Sequence, residues 1–127
     1  MKIEISVGEL VDKVTILKIK LERIKNEDKL KNVQKEFDVL SKSLSETVIT
    51  EESGEYKELK KINETLWEIE DEIRIKEQKQ EFDEEFIKLA RSVYFENDVR
   101  AEIKKRINIL TGSDLHEEKE YVDYKVK

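Results

Sequence analysis

A seam of apolar residues spaced three and four apart restarts three times in this chain and constrains its fold more than any other feature. Val7, Leu10, Val14, Leu17, Leu21 and Ile24 form the first run. Leu30, Val33, Phe37, Leu40 and Leu44 form the second, and Leu59, Ile62, Leu66, Ile69 and Ile73 the third. Residues at these spacings share one face of a helix, and that face must be buried against other helices. There is no proline to break such helices. Charged residues make up 44% of the chain, which suits long helices with solvated outer faces. A length of 127 residues suffices for one core, and residues 1–127 are read as a single helical domain.

The polar residues between the seams place the boundaries. Ser6-Val7-Gly8-Glu9 reads as a capping box, with Ser6 as N-cap and Glu9 reaching back. The first helix is expected over Val7 to Lys25. Val11, Ile16 and Ile19 lie off its seam, so it has two apolar faces and belongs at the centre. Asn26 to Asp28 breaks and recaps the chain, and a second helix runs to Thr47. Val48 to Gly54 reads as a loop. A third helix is expected over Glu55 to Gln80. Asp83 caps a fourth, to Phe95. Asn97 or Asp98 caps a fifth, Val99 to Leu110, which Gly112 ends in the left-handed conformation. Lys2 to Ile5 and Tyr121 to Val126 alternate polar and apolar residues, so a two-stranded terminal ribbon is open to them. The expected fold is all-α: a bundle of about five helices built on long antiparallel helices, with that short ribbon as an option.

Charge and composition exclude several functions. The net charge is −6, from 31 acids and 25 bases, which disfavours a nucleic-acid binder. No cysteine is present, so disulfides and thiolate metal sites are out. A single histidine, His116, leaves zinc and Ser-His-Asp chemistry without their groups. No glycine-rich phosphate loop occurs. Glu68, Asp71 and Glu72 could together face magnesium from one helix. The all-helical nucleotide pyrophosphohydrolases pair such a helix with a second bearing E-x-x-D, and no clear E-x-x-D follows on the fourth helix. No cofactor and no metal is therefore expected. No apolar run approaches the ~20 residues of a membrane span, and Met1 to Ile5 is not a signal peptide. A cytoplasmic protein without a membrane partner is the expectation.

Three constellations could carry chemistry. Trp67, Glu70, Asp71 and Arg74 fall on one helical face at the edge of the seam, where they could line a polar pocket. The structural alternative is an Asp71–Arg74 ion pair on a solvated helix. Arg91 and Tyr94 share a second face, with Asn97, Asp98 and Arg100 at the following corner. A helix N-terminus beside an arginine can hold an anion; the alternative is that Asn97 and Asp98 simply cap. On the first helix, Glu9, Asp12 and Lys13 lie near the seam. Lys13 could hold an anion or a carboxylate, or sit at a solvated edge. Lys104, Lys105 and Arg106 read as a solvated basic face.

Val7 to Leu17, Leu66 to Arg74 and Ala90 to Ala101 together resemble a family of small all-helical bacterial and phage proteins, a domain of unknown function. The resemblance spans nearly the whole chain and implies no activity. The lysine- and isoleucine-rich, proline-free composition looks like a marine bacterial or viral member.

Two functional readings follow. The first is a helical interaction or assembly module that self-associates as a homodimer, because three seams offer more stripe than one small monomer covers. The second is a small enzyme or binding domain for a small anionic ligand, a nucleotide- or sugar-phosphate. Its ligand-binding residues would be Lys13, Trp67, Glu70, Asp71, Arg74, Arg91, Tyr94 and Arg100. Convergence of these side chains in one concavity would favour the second reading, and scatter the first.

Overall fold

The computed structural model describes residues 1–115 and 117–125. Among the described residues are four helices: α1 (Val7–Arg23), α2 (Glu27–Leu44), α3 (Gly54–Gln78) and α4 (Glu84–Thr111). As its two apolar faces require, α1 is central. It packs against each of the other three, α3 also packs against α4, and α2 touches α1 alone. The main core gathers Leu10, Val11 and Val14 of α1, Leu44 of α2, Tyr56 and Leu59 of α3, and Ile103 and Ile107 of α4. Ile49, from the α2–α3 connection, plugs the same core. Each such aliphatic side chain contributes roughly 1.5–3 kcal/mol through its removal from water.

The start of α1 shows how its end is tied down. A helix leaves its first backbone N–H groups without intrahelical partners. Here the Glu9 N–H donates to Ser6 Oγ at 3.1 Å, so Ser6 is the N-cap the sequence implies. The Gly8 N–H donates to Asn108 Oδ1 at 2.7 Å and the Val7 N–H to Ser113 Oγ at 3.3 Å. Residues at the far end of α4 thus finish the cap. The reciprocal half of the capping box is not made: the Glu9 carboxylate turns to Lys104 at 2.8 Å. Asn26 caps α2 and Asp83 caps α4, accepting from the Lys29 and Phe86 N–H groups. Gly112 ends α4 at φ +65°, with Ser113 N–H bonded back to the Asn108 carbonyl at 2.9 Å, a Schellman closure.

Two expectations are corrected. The fourth and fifth helices are one, because Asn97 and Asp98 lie inside α4. Neither caps: the Asn97 side-chain oxygen Oδ1 accepts from Arg100 at 3.4 Å, and the Asp98 carboxylate accepts from the Tyr124 hydroxyl. A mid-helix Asn or Asp costs only about 0.7 kcal/mol in propensity, which packing on either side outweighs. The terminal ribbon is also absent, for there is no strand among the described residues. Val126, at its expected end, lies outside them. Two isolated strands are marginal in water, and Tyr124 instead packs its ring on Tyr94 and Phe95, at centroid distances of 4.8 and 5.1 Å.

The joined helix creates an arm. With 25 and 28 residues, α3 and α4 are about 37 and 42 Å long, against about 25 Å for α1. Among the described residues, the polar contacts of α1 reach Glu68 on α3 and Arg100 on α4 and go no farther toward the α3–α4 turn. Residues 69–97, on either side of the α3–α4 turn, thus make no polar contact with α1 among the described residues, and this two-helix segment is called the arm. Lys76 staples its tip, meeting Asp83 at 2.8 Å and Glu81 at 3.4 Å. Gln80 supplies the positive φ, +57°, that lets the chain reverse. Among the described residues, no helix is long and apolar enough to cross a membrane.

Candidate functional site

A charged cluster sits where α1, α3 and α4 cross. Asp12 projects from α1 between Val11 and Val14 and is only 1% exposed. Burying a carboxylate is costly unless it is paired and fully hydrogen-bonded, and here it is both. Arg100 of α4 grips it with two donors, Nε meeting Oδ1 at 2.9 Å and Nη2 meeting Oδ2. Asn63 of α3 donates to Oδ1 at 2.9 Å and to Thr15 Oγ1 at 3.1 Å. Thr15 in turn donates to the Asp12 carbonyl at 2.8 Å.

Lys104 extends the cluster toward solvent. Its Nζ lies 2.8 Å from Glu9, 2.8 Å from Glu117 and 3.9 Å from Asp12. Burial disfavours the ammonium, but hydrogen bonds to Glu117 and Glu9 outweigh it and hold its pKa above the usual lysine range. The hydrogen bond with Asp12 likewise raises Arg100, against the opposing effect of burial. Glu117 belongs to the tail that follows α4. Its hydrogen bond with Lys104 holds its carboxyl below the usual range. An open cavity of about 210 Å³ adjoins the cluster, lined by Glu9, Arg100, Ala101, Lys104, Glu117 and Lys119.

Close approach of α1 to α4 makes this cluster possible. Gly8 lies against α4 so tightly that a Cβ there would stand 2.5 Å from the Lys104 carbonyl oxygen. Any larger residue would push Glu9 and Asp12 away from their cations. The Asp12 carboxylate accepts from donors on both oxygens, from Asn63 and from Arg100.

Of the eight residues the sequence nominates, only Arg100 joins this cluster. Lys13 is exposed and lies 3.8 Å from Glu9 of its own helix. Trp67, half-buried, stands near the base of the arm. Glu70, Asp71 and Arg74 are exposed, and Arg74 pairs with Glu70 at 3.5 Å rather than with Asp71. Arg91 donates to the Tyr94 hydroxyl at 3.4 Å and lies 5.8 Å from the Phe95 ring centroid. Glu9 and Asp12, on the seam edge in the sequence, pair with Lys104 and Arg100 of α4 rather than turning Lys13 into a binding group. Asn63 and Lys104, with no functional signal of their own in the sequence, belong to the cluster. The available signal was phase: Asn63 follows Leu59 by four residues and Lys104 precedes Ile107 by three, which sets both near the buried stripe.

No curated protein and no solved structure matches the chain. A family model covers residues 1–125, and the chain belongs to that family, DUF6165, a family of unknown function.

Proposed function

We propose that the protein is a helical interaction module whose arm, residues 69–97, docks a cationic amphipathic helix. One observation carries this reading: the arm combines exposed large apolar side chains with concentrated negative charge. Phe82 and Ile87 are each 54% exposed, and Ile75 and Tyr94 are exposed as well. Within the arm Ile69 and Leu89 are buried, and its other large hydrophobics are half-buried or exposed. The same segment carries nine acids and five bases, −4 of the chain's net −6. A partner matching both features is apolar on one face and basic on the other, the helix-in-groove mode of recognition. Such charge complementarity steers association and selects partners. A second copy is the other occupant the seams suggest, but two arms of like charge repel.

The test is calorimetric titration with a synthetic leucine- and lysine-patterned amphipathic peptide and with a scrambled peptide of equal composition. The patterned peptide should bind and the scrambled one should not. Ile87→Glu should remove that binding while leaving the helical circular dichroism unchanged. Equal binding of both peptides, or full binding by Ile87→Glu, would overturn the reading. So would sedimentation at twice the chain mass that Ile87→Glu returns to monomer, which would assign the arm to a second copy.

A further inference from the structure

We infer that the tail after α4 is a displaceable strap over the arm, in which Tyr124 occupies part of the α4 face that a partner helix would cover and so competes with it. The inference rests on the docking reading above and adds its regulation. Ile87, Arg91, Tyr94, Phe95 and Asp98 recur at helical spacing and share one face of α4, about 16 Å or three turns long. The Tyr124 ring packs edge-on against Tyr94 and Phe95, and its hydroxyl donates to Asp98. Tyr94 and Phe95 remain exposed on their open sides, and toward the tip Ile87 is exposed as well. The face is thus covered at one end and open at the other. A helix laid along it from Ile87 to Asp98 would run into Tyr124.

The strap is fastened with slack. Glu117 meets Lys104 at 2.8 Å, and Tyr124 meets Asp98. Lys104 and Asp98 stand about 9 Å apart along the helix, whereas residues 117–124 can span about 23–25 Å when extended. Between the two anchors Tyr121 and Val122 are exposed, so the intervening chain gains little apolar burial. Charge opposes the seated position too. Residues 117–125 carry four acids and two bases, and they lie against an arm that is itself acidic. The ring contacts and hydrogen bond of Tyr124 hold the strap against that repulsion. A cationic helix that takes the face replaces like charges with opposite ones, which favours the exchange.

A strap seated about nine-tenths of the time lowers the apparent affinity of a competing partner about tenfold. Tyr124→Ala removes the ring and leaves every charge in place, so electrostatic steering is unchanged. The position lies outside the four helices, so the fold is not at risk. The probe is the leucine- and lysine-patterned peptide, titrated calorimetrically into the full chain as wild type, Tyr124→Ala and Tyr121→Ala. Tyr124→Ala should bind it about tenfold more tightly than wild type. Tyr121→Ala, which removes a ring that is 79% exposed, should bind it as wild type does. In the ¹⁵N-labelled wild-type chain, the peptide should move the Asp123 and Lys125 amides toward their positions in peptide-free Tyr124→Ala. Equal or weaker binding by Tyr124→Ala overturns the strap and leaves docking on the arm standing. An equal gain in Tyr121→Ala does the same, because the effect would then not belong to the Tyr124 contact. If the peptide binds none of the three proteins, the docking reading fails and the strap fails with it.

Discussion

Gly8→Ala tests the packing that brings the charged cluster together, and the two relevant effects have opposite signs. Alanine is the better helix former by about 1 kcal/mol in a helix interior, and less at the second position of a helix, where Gly8 sits. Taken alone, that predicts slight stabilisation. The contact with α4 predicts the reverse. The new methyl would stand 2.5 Å from the Lys104 carbonyl oxygen, 2.8 Å from Asn108 Oδ1 and 3.1 Å from the Lys104 carbonyl carbon. Two of these atoms are helix backbone, so α1 must move as a body. Overpacking of this kind costs about 1–3 kcal/mol. The movement also breaks the buried 2.7 Å hydrogen bond from the Gly8 N–H to Asn108, and stranding those groups costs about 1–3 kcal/mol more. After the propensity gain, a net loss of about 2–4 kcal/mol is expected. Urea unfolding followed by circular dichroism measures it, as a lower midpoint with an unchanged slope. If Gly8→Ala is as stable as wild type, α1 and α4 are not in close contact and the cluster geometry built on that contact is wrong.

Three further outcomes follow from individual groups. Asp12→Ala leaves Arg100 and Asn63 without their acceptor and should cost about 3 kcal/mol, the low end for breaking a buried pair because Arg100 is 29% exposed; a urea midpoint within error of wild type would contradict this. The Tyr56 hydroxyl is buried with no hydrogen-bond partner among the described residues, so Tyr56→Phe should be neutral or stabilising by up to about 1 kcal/mol, and a clear loss in thermal denaturation would reveal a partner for it. Tyr124 is raised to about 12, first by its hydrogen bond to Asp98, and Tyr56 to about 12, first by burial. Both phenols keep their protons longer in the folded state, so their contribution is present below pH 10 and lost as the pH rises through 12. Ultraviolet titration should show two late-ionising tyrosines in wild type and one in Tyr124→Phe.

Apolar periodicity carried most of the fold because burial is set by phase. The two apolar faces of α1 require neighbours on more than one side, and the structure packs α2, α3 and α4 against it. The same logic failed at Asn97 and Asp98. Local propensity makes either an acceptable cap, and only the side-chain partners, Arg100 and Tyr124, show why neither is used as one. Both partners are fixed by tertiary packing. Arg100 is committed to Asp12, 88 residues away, and Tyr124 reaches back along α4 from the tail. The candidate site was obscured for a related reason. A charge near a seam reads as an edge residue, because an unpaired buried charge is unaffordable, and the sequence does not show the pairing. Asp12, Asn63 and Lys104 become intelligible only together: each is too polar for its position alone, and each supplies what another lacks. The arm posed the opposite problem. Its apolar residues, Ile75, Phe82, Ile87 and Tyr94, look like core material in the sequence, yet the chain leaves them exposed. Polar residues buried in a complete network and apolar residues exposed on a charged arm are departures from the usual pattern in opposite directions. The first is balanced inside the chain by its own cations and amides. The second is covered only in part, Tyr94 by Tyr124 and Phe82 by Phe86, while Ile75 and Ile87 stay exposed, which makes the arm the place to look for a partner.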